Sequence, residues 1–193
     1  MSSRPAGRLA LVLTPGASAN RNQPALVAIE EAVAPAGVVV ERVDFPYVRA
    51  GRRAPDRPPV LLATVREAAA ALAGRAGVAP ERVLLGGRSM GGRICSMAVA
   101  DGLPAAGLVL VSYPLHPPGR PDRLRTEHFP GLAVPCLFVS GTRDAFGTVA
   151  ELEAATAAIP GPVTHVWLDG GDHGLRGRDG AVAGAVAAWV AAL

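Results

Sequence analysis

Residues 86–92 read Gly-Gly-Arg-Ser-Met-Gly-Gly and contain the pattern G-x-S-x-G centred on Ser89. A short apolar run precedes this segment and a helix-like run follows it, so Ser89 falls at a strand-to-helix turn. The backbone of such a turn is crowded, and it needs neighbours without side chains, which Gly87 and Gly91 provide. The segment predicts a nucleophile elbow that exposes the Ser89 hydroxyl. A glycine-rich phosphate-binding turn with an ordinary serine is the alternative.

Strand-like and helix-like segments alternate on both sides of this turn. Each predicted strand is short, apolar or β-branched, and closed by Gly, Pro, Asp or Ser. The predicted strands are Leu9–Leu13, Val38–Val43, Arg82–Gly86, Gly107–Val111, Pro135–Ser140 and Thr164–Leu168. The predicted helices are Asn22–Ala34, Val60–Ala76, Met90–Ala100, Thr148–Ala158 and Gly180–Ala192. This alternation predicts an α/β fold with a doubly wound, mostly parallel six-stranded sheet and helices on both faces.

The length of 193 residues suits one domain with a sizeable core. We expect a single domain over residues 8–193, preceded by a flexible N-terminus at residues 1–7. Two segments interrupt the alternation, Phe45–Pro59 and Ser112–Pro130, and both are predicted to be covering loops. Neither is long enough for a separate cap domain.

Composition excludes several classes of protein. Hydrophobic residues make up 50% of the chain but aromatic residues only 4%, so Ala, Val and Leu must build the core. All 19 basic residues are arginines, and they are scattered, unlike the clustered charge of a nucleic-acid-binding surface. Cys95 and Cys136 lie in apolar runs and are expected to be buried thiols. No signal peptide or membrane span is recognisable, so we expect a cytoplasmic protein without nucleic-acid or membrane partners.

A histidine and a carboxylate follow two of the later predicted strands. A serine hydroxyl needs a general base, and the base needs a carboxylate to orient it. Asp144 comes directly after Pro135–Ser140, and His173 comes directly after Thr164–Leu168. Because ligands of such sheets bind at the carboxyl ends of the strands, these side chains are expected to meet Ser89.

Other histidines and carboxylates fit these roles less well. His165 lies within a strand and is expected to pack there, His128 is expected at the surface, and His116 is a candidate for lining the pocket. Asp169 and Asp172 flank His173, but neighbours in a tight turn rarely point at one another. Asp172 is instead expected to steady the histidine loop.

Two backbone amides are candidates for an oxyanion hole. The Met90 amide lies at a helix N-terminus, where negative charge is favoured. The Ala17 amide belongs to the loop after the first strand, where Gly16 leaves the backbone room to approach the serine. Gly16, Arg88 and His116 are the candidate substrate contacts.

The first covering loop is rich in arginine. If it folds over the strand ends, it brings positive charge towards an acidic substrate. A solvated loop explains the same residues, which are Arg49, Arg52, Arg53 and Arg57.

Taken together, the elbow, the acid loop and the histidine loop resemble the α/β-hydrolase superfamily over Leu9–Leu193. The compact, capless form is similar to dienelactone-hydrolase-like proteins. Residues 45–47, 112–117 and 141–144 further resemble a small branch of testis-expressed hydrolase-like proteins. The resemblance implies that Ser89, Asp144 and His173 form the triad, with the Ala17 and Met90 amides as the oxyanion hole. The chain departs from dienelactone hydrolases, which have cysteine at the position of Ser89.

These features predict a serine hydrolase that cleaves an ester or related acyl bond of a small molecule through an acyl-enzyme. Neither a metal nor an organic cofactor is needed. Peptidase or thioesterase activity fits the same residues, because pocket shape selects the leaving group. A non-catalytic binding or scaffold subunit is the alternative from another class.

Overall fold

A computed structural model describes residues 8–193 and contains six parallel strands in one sheet. The strands are β1 (Ala10–Thr14), β2 (Val39–Arg42), β3 (Val83–Arg88), β4 (Gly107–Val111), β5 (Cys136–Gly141) and β6 (Val163–Leu168). Their spatial order is β2-β1-β3-β4-β5-β6, and every neighbouring pair is parallel. The predicted fold class is confirmed. The expected flexible N-terminus, residues 1–7, lies outside the described residues.

Helices cover both faces of the sheet. They are α1 (Pro24–Val33), α2 (Pro46–Arg49), α3 (Pro58–Ala76), α4 (Met90–Ala100), α5 (Val149–Thr156) and α6 (Asp179–Ala191). One face packs against α1 and α6, and the other packs against α3, α4 and α5. Within residues 8–193, no additional domain covers the carboxyl ends of the strands.

The strands are buried on both faces because their side chains alternate between two apolar layers. Leu84 and Val109 pack under α1 and α6, whereas Leu85 and Leu110 pack under α3 and α4. All four side chains are fully buried. The central strands therefore read as unbroken apolar runs in the sequence.

Several element ends lie one or two residues from the predicted ones, and two of the differences have a clear physical reason. β3 continues two residues past Gly86, because Gly87 and Arg88 keep their ladder pairing with β4 although neither side chain is apolar. The predicted covering loop Phe45–Pro59 contains α2 and the start of α3. Both helices begin at proline, whose fixed φ suits the first helical position. Proline is also common in loops, so the sequence alone does not distinguish a helix start from a loop here.

No helix among the described residues combines the length and apolar character required to cross a membrane.

Candidate active site

Ser89 occupies the sharp turn between β3 and α4. Its backbone has φ 50° and ψ −117°, a conformation that residues with a Cβ rarely adopt. The Ser89 N–H donates to the Val111 carbonyl oxygen at 2.8 Å, which fixes the turn against β4. A Cβ at Gly87 or Gly91 would overlap the Thr14 carbonyl oxygen. Glycine at both positions is therefore what allows β1 to approach the turn so closely.

Three side chains from separate loops form a continuous hydrogen-bonded chain. The Ser89 Oγ lies 2.9 Å from His173 Nε2. On the other side of the ring, His173 Nδ1 lies 2.8 Å from Asp144 Oδ2 and 3.0 Å from Oδ1. With Asp144 accepting from Nδ1–H, Nε2 is left as the acceptor for the Ser89 proton.

Asp144 is itself held in place. Its side chain is 2% exposed, so its charge is shielded from solvent and directed at the histidine ring. Oδ1 also accepts the Phe146 N–H at 2.8 Å, as in an Asx turn. The Phe146 ring stacks on the His173 ring with centroids 3.9 Å apart. Sequence reasoning missed Phe146, whose one local signal is its position two residues after a turn-forming aspartate.

The loop that carries His173 is fastened from two sides. Arg88 donates from Nη2 to the His173 carbonyl oxygen, and the half-buried guanidinium has its pKa lowered by burial. The Leu175 N–H donates to Asp172 Oδ1 at 2.9 Å. Asp172 thus steadies the loop as expected, and Arg88, a candidate substrate contact, also has a structural role.

Ala17 and Met90 both line the cavity that Ser89 lines. Within residues 8–193, neither amide donates a hydrogen bond to another group of the protein. Gly16 lies close to the elbow, since a Cβ at this position would lie 3.7 Å from Ser89 Cβ. The two amides are thus available to an oxygen of a bound molecule.

Two side chains that sequence reasoning missed hold the loop after β1. Gln23 accepts the Gly16 N–H at 3.0 Å, and the Tyr47 hydroxyl accepts the Ser18 N–H at 3.2 Å. Tyr47 is fully buried, and it comes from α2, which lies in the segment predicted to be a loop.

The cavity beside Ser89 has a volume of about 410 Å³. That volume suits a small molecule. Its lining combines the elbow, the loop after β1 and the segment after β4: Ala17, Arg88, Ser89, Met90, Arg93, Pro114, Arg125, Phe146 and His173. Sequence reasoning did not single out Arg93, Pro114 or Arg125.

Other predicted contacts lie elsewhere. His116 does not line this cavity, because its Nδ1 lies 2.8 Å from the Pro117 carbonyl oxygen and its Nε2 lies 3.5 Å from Glu151 Oε2. His165 packs within β6 as expected, stacked on Phe138 and Trp167.

The arginines of the first covering segment are all exposed and lie outside the cavity lining. The structure therefore favours the solvated alternative for Arg49, Arg52, Arg53 and Arg57.

A second serine–histidine pair lies outside the lining of this cavity. His128 was expected at the surface, but its Nε2 lies 2.8 Å from the Oγ of Ser96, which is 0% exposed on α4. Burial and nearby Arg93 lower the pKa of His128 to about 4. No carboxylate among residues 8–193 lies within ion-pair distance of His128. This pair therefore lacks both an accessible hydroxyl and an orienting acid.

Comparison with known proteins identifies the family of this chain. A family model described as alpha/beta hydrolase domain matches residues 7–187. An alpha-beta serine hydrolase homologue from Coxiella burnetii superposes with a TM-score of 0.76 at 20% identity, covering 97% of this chain and 89% of that one. Dienelactone hydrolase from Anabaena variabilis gives 0.76 at 20% identity, with 97% and 88% covered. The esterase domain of a Rhodothermus marinus protein gives 0.71 at 17% identity, with 94% and 86% covered.

Proposed function

The chain belongs to the alpha/beta hydrolase family, as its sequence predicted, and from this premise we propose that it is a serine hydrolase that cleaves an ester or related acyl bond of a small molecule. In this proposal Ser89 is the nucleophile, His173 is the general base, and Asp144 orients and stabilises the histidine.

One observation carries the proposal: the unbroken hydrogen-bonded chain from Ser89 Oγ through the His173 ring to the buried Asp144 carboxylate. Its distances of 2.9 Å and 2.8 Å lie within the range needed for proton transfer. The serine end of the chain opens into a cavity, whereas the carboxylate end is buried. An activated nucleophile requires this arrangement, in which the serine is open to the substrate and the carboxylate is buried.

In the first half-reaction, Ser89 Oγ forms a bond to the carbonyl carbon while its proton passes to His173 Nε2. The negative charge that develops on the carbonyl oxygen is stabilised by the Ala17 and Met90 amides. The bond to the leaving oxygen then breaks, and His173 gives its proton to that oxygen. Asp144 stabilises the imidazolium that exists between these two transfers.

In the second half-reaction, water replaces the leaving group. His173 takes a proton from the water as the water oxygen bonds to the acyl carbon. The bond between Ser89 Oγ and the acyl carbon then breaks, and His173 gives the proton to Ser89 Oγ. The products are the free acid and the regenerated enzyme. Ser89 and His173 are the two protein groups that exchange protons in this cycle.

An ester is the substrate class that we propose first. Dienelactone hydrolase and an esterase domain are among the proteins that share this fold. The cavity of about 410 Å³ limits the acyl group to a small one. A thioester or an activated amide would undergo the same two half-reactions.

The proposal is tested by hydrolysis of 4-nitrophenyl acetate and butyrate. We expect Ser89→Ala to lower the rate of hydrolysis of both esters to that of the uncatalysed reaction. Ser96→Ala is the matched control, because it removes the hydroxyl of the other serine–histidine pair without touching the cavity. Full activity in Ser89→Ala, or loss of activity in Ser96→Ala alone, would contradict the assignment.

A further inference from the structure

The cavity beside Ser89 is strongly cationic. Arg88, Arg93 and Arg125 all line it, and no aspartate or glutamate belongs to its lining. Arg88 already donates to the His173 carbonyl oxygen, whereas Arg125 has only a long contact with the Pro114 carbonyl oxygen and the Arg93 side chain has no hydrogen-bond partner within residues 8–193.

Arg93 lies one helical turn after the nucleophile, and its N–H donates to the Ser89 carbonyl oxygen at 3.1 Å. Its side chain forms no hydrogen bond or ion pair within residues 8–193, and its buried Nε has no partner. A buried donor without a partner costs free energy, so the unpaired Nε of Arg93 destabilises the folded protein in its unliganded state.

Arg125 approaches the same cavity from the segment after β4. Its Nη1 lies 3.4 Å from the Pro114 carbonyl oxygen, a weak contact. Burial, followed by repulsion from Arg93, lowers the pKa of its guanidinium. Two cations thus share a partly desolvated space without a counter-ion.

Elsewhere in the described chain, five arginines form ion pairs with carboxylates. The pairs are Arg21 with Asp44, Arg42 with Glu30, Arg52 with Asp56, Arg66 with Asp101 and Arg75 with Glu41. Glu127 is the nearest acidic residue in sequence to Arg125, but it is exposed and does not line the cavity. Arg93 and Arg125 are both partly buried, and within residues 8–193 neither forms an ion pair with a carboxylate.

We propose that Arg93 and Arg125 bind an anionic group of the substrate, so that the preferred substrate is a small ester carrying a carboxylate or phosphate. This inference rests on the proposed function and adds the substrate class. Planar guanidinium groups suit such anions because they donate parallel hydrogen bonds to two oxygens. The anion also replaces the missing counter-ion of the pair.

The test compares three 4-nitrophenyl esters: the adipate monoester with a free distal carboxylate, its neutral methyl ester, and the analogue with a distal phosphonate. We expect wild-type kcat/KM for one anionic ester to exceed that for the methyl ester by about tenfold or more. Higher salt should reduce this ratio through screening. Whichever of the carboxylate and phosphonate esters has the higher kcat/KM identifies the kind of anion that the site binds.

Arginine variants assign the preference to residues. Arg93→Gln and Arg125→Gln should each lower the ratio of anionic to neutral ester by about tenfold. Arg123→Gln is the matched control, because Arg123 is exposed, lies two residues from Arg125 and does not line the cavity. Equal rates on all three esters in the wild type, or an equal fall of the ratio in Arg123→Gln, would overturn the inference.

A binding measurement separates this inference from the proposed function. Titration calorimetry of adipate and inorganic phosphate into Ser89→Ala protein needs no turnover. Binding that Arg93→Gln abolishes would sustain the anion site even if no ester were hydrolysed. Ester hydrolysis with no anion preference and no such binding would leave the hydrolase intact and refute the anion site.

Discussion

At the scale of single residues, the site depends on backbone positions that only certain side chains tolerate. Ser89 holds φ 50° because the turn is pinned to β4 by its own N–H and surrounded by glycine. Such strain costs on the order of 1–3 kcal/mol and persists only where the surrounding structure fixes it. Here it directs the Ser89 hydroxyl towards His173 and away from the helix.

Asp144→Asn tests the role of the buried acid. Asparagine has nearly the same shape, so we expect the fold to be kept. It cannot stabilise an imidazolium and favours the wrong histidine tautomer, so kcat for 4-nitrophenyl esters should fall by about 10³-fold or more.

Asp169→Asn is the control for that variant. Asp169 also lies near His173 in the sequence, but it is exposed and accepts from the Thr142 hydroxyl at 3.2 Å. Comparable losses in the two variants would contradict the assignment of Asp144.

The sequence identified the residues that meet at the site but not those that hold them. Ser89, Asp144 and His173 were recognisable because each follows a predicted strand. Tyr47 and Phe146 were not, because their contributions depend on contacts made after folding. The Tyr47 contact joins residues 29 positions apart, and no local pattern encodes it.

At the scale of secondary-structure elements, the segment between β4 and β5 is fastened to α4. His128 bonds to Ser96 on α4, and the Tyr113 hydroxyl donates to the Arg125 carbonyl oxygen at 2.6 Å. The same segment carries Arg125 into the cavity. The segment that carries Arg125 is therefore joined by a hydrogen bond to the helix that carries Arg93.

The His128 attachment predicts a dependence of stability on pH. The pKa of His128 is about 4 in the fold, against an ordinary value of 6.5, because burial and then Arg93 oppose protonation more than Glu127 favours it. The unfolded chain therefore binds more protons between these values. The contribution of neutral His128 is complete above pH 6.5 and is lost as pH falls towards 4.

Urea unfolding at pH 7 and pH 5 measures this effect against His128→Gln, which keeps a polar partner for Ser96. Because His128 is partly exposed, we expect the wild type to lose about 1 kcal/mol more than the variant between the two pH values. Parallel losses in both proteins would show that His128 is not kept neutral by the fold.

At the scale of the whole molecule, the parallel sheet brings distant loops together. The strands β3, β5 and β6 are parallel, so their carboxyl ends lie on the same side of the sheet. The loops that follow them therefore bring Ser89, Asp144 and His173 together. This architecture was predictable because buried strands alternate with helices in the sequence. The end of β3 was not predictable, because the ladder pairing of its last residues leaves no apolar pattern. The helix α2 was not predictable either, because a proline at a helix start leaves no such pattern.

The most direct test of the proposed nucleophile is to map the adduct of a fluorophosphonate probe. Trypsin cleaves after Arg88 and Arg93, which isolates residues 89–93 as a pentapeptide with Ser89 as its one hydroxyl-bearing side chain. We predict that this pentapeptide carries the full mass of the probe and that Asp144→Asn slows the labelling. An adduct on the peptide that contains Ser96, or a folded protein that takes up no probe, would contradict the account.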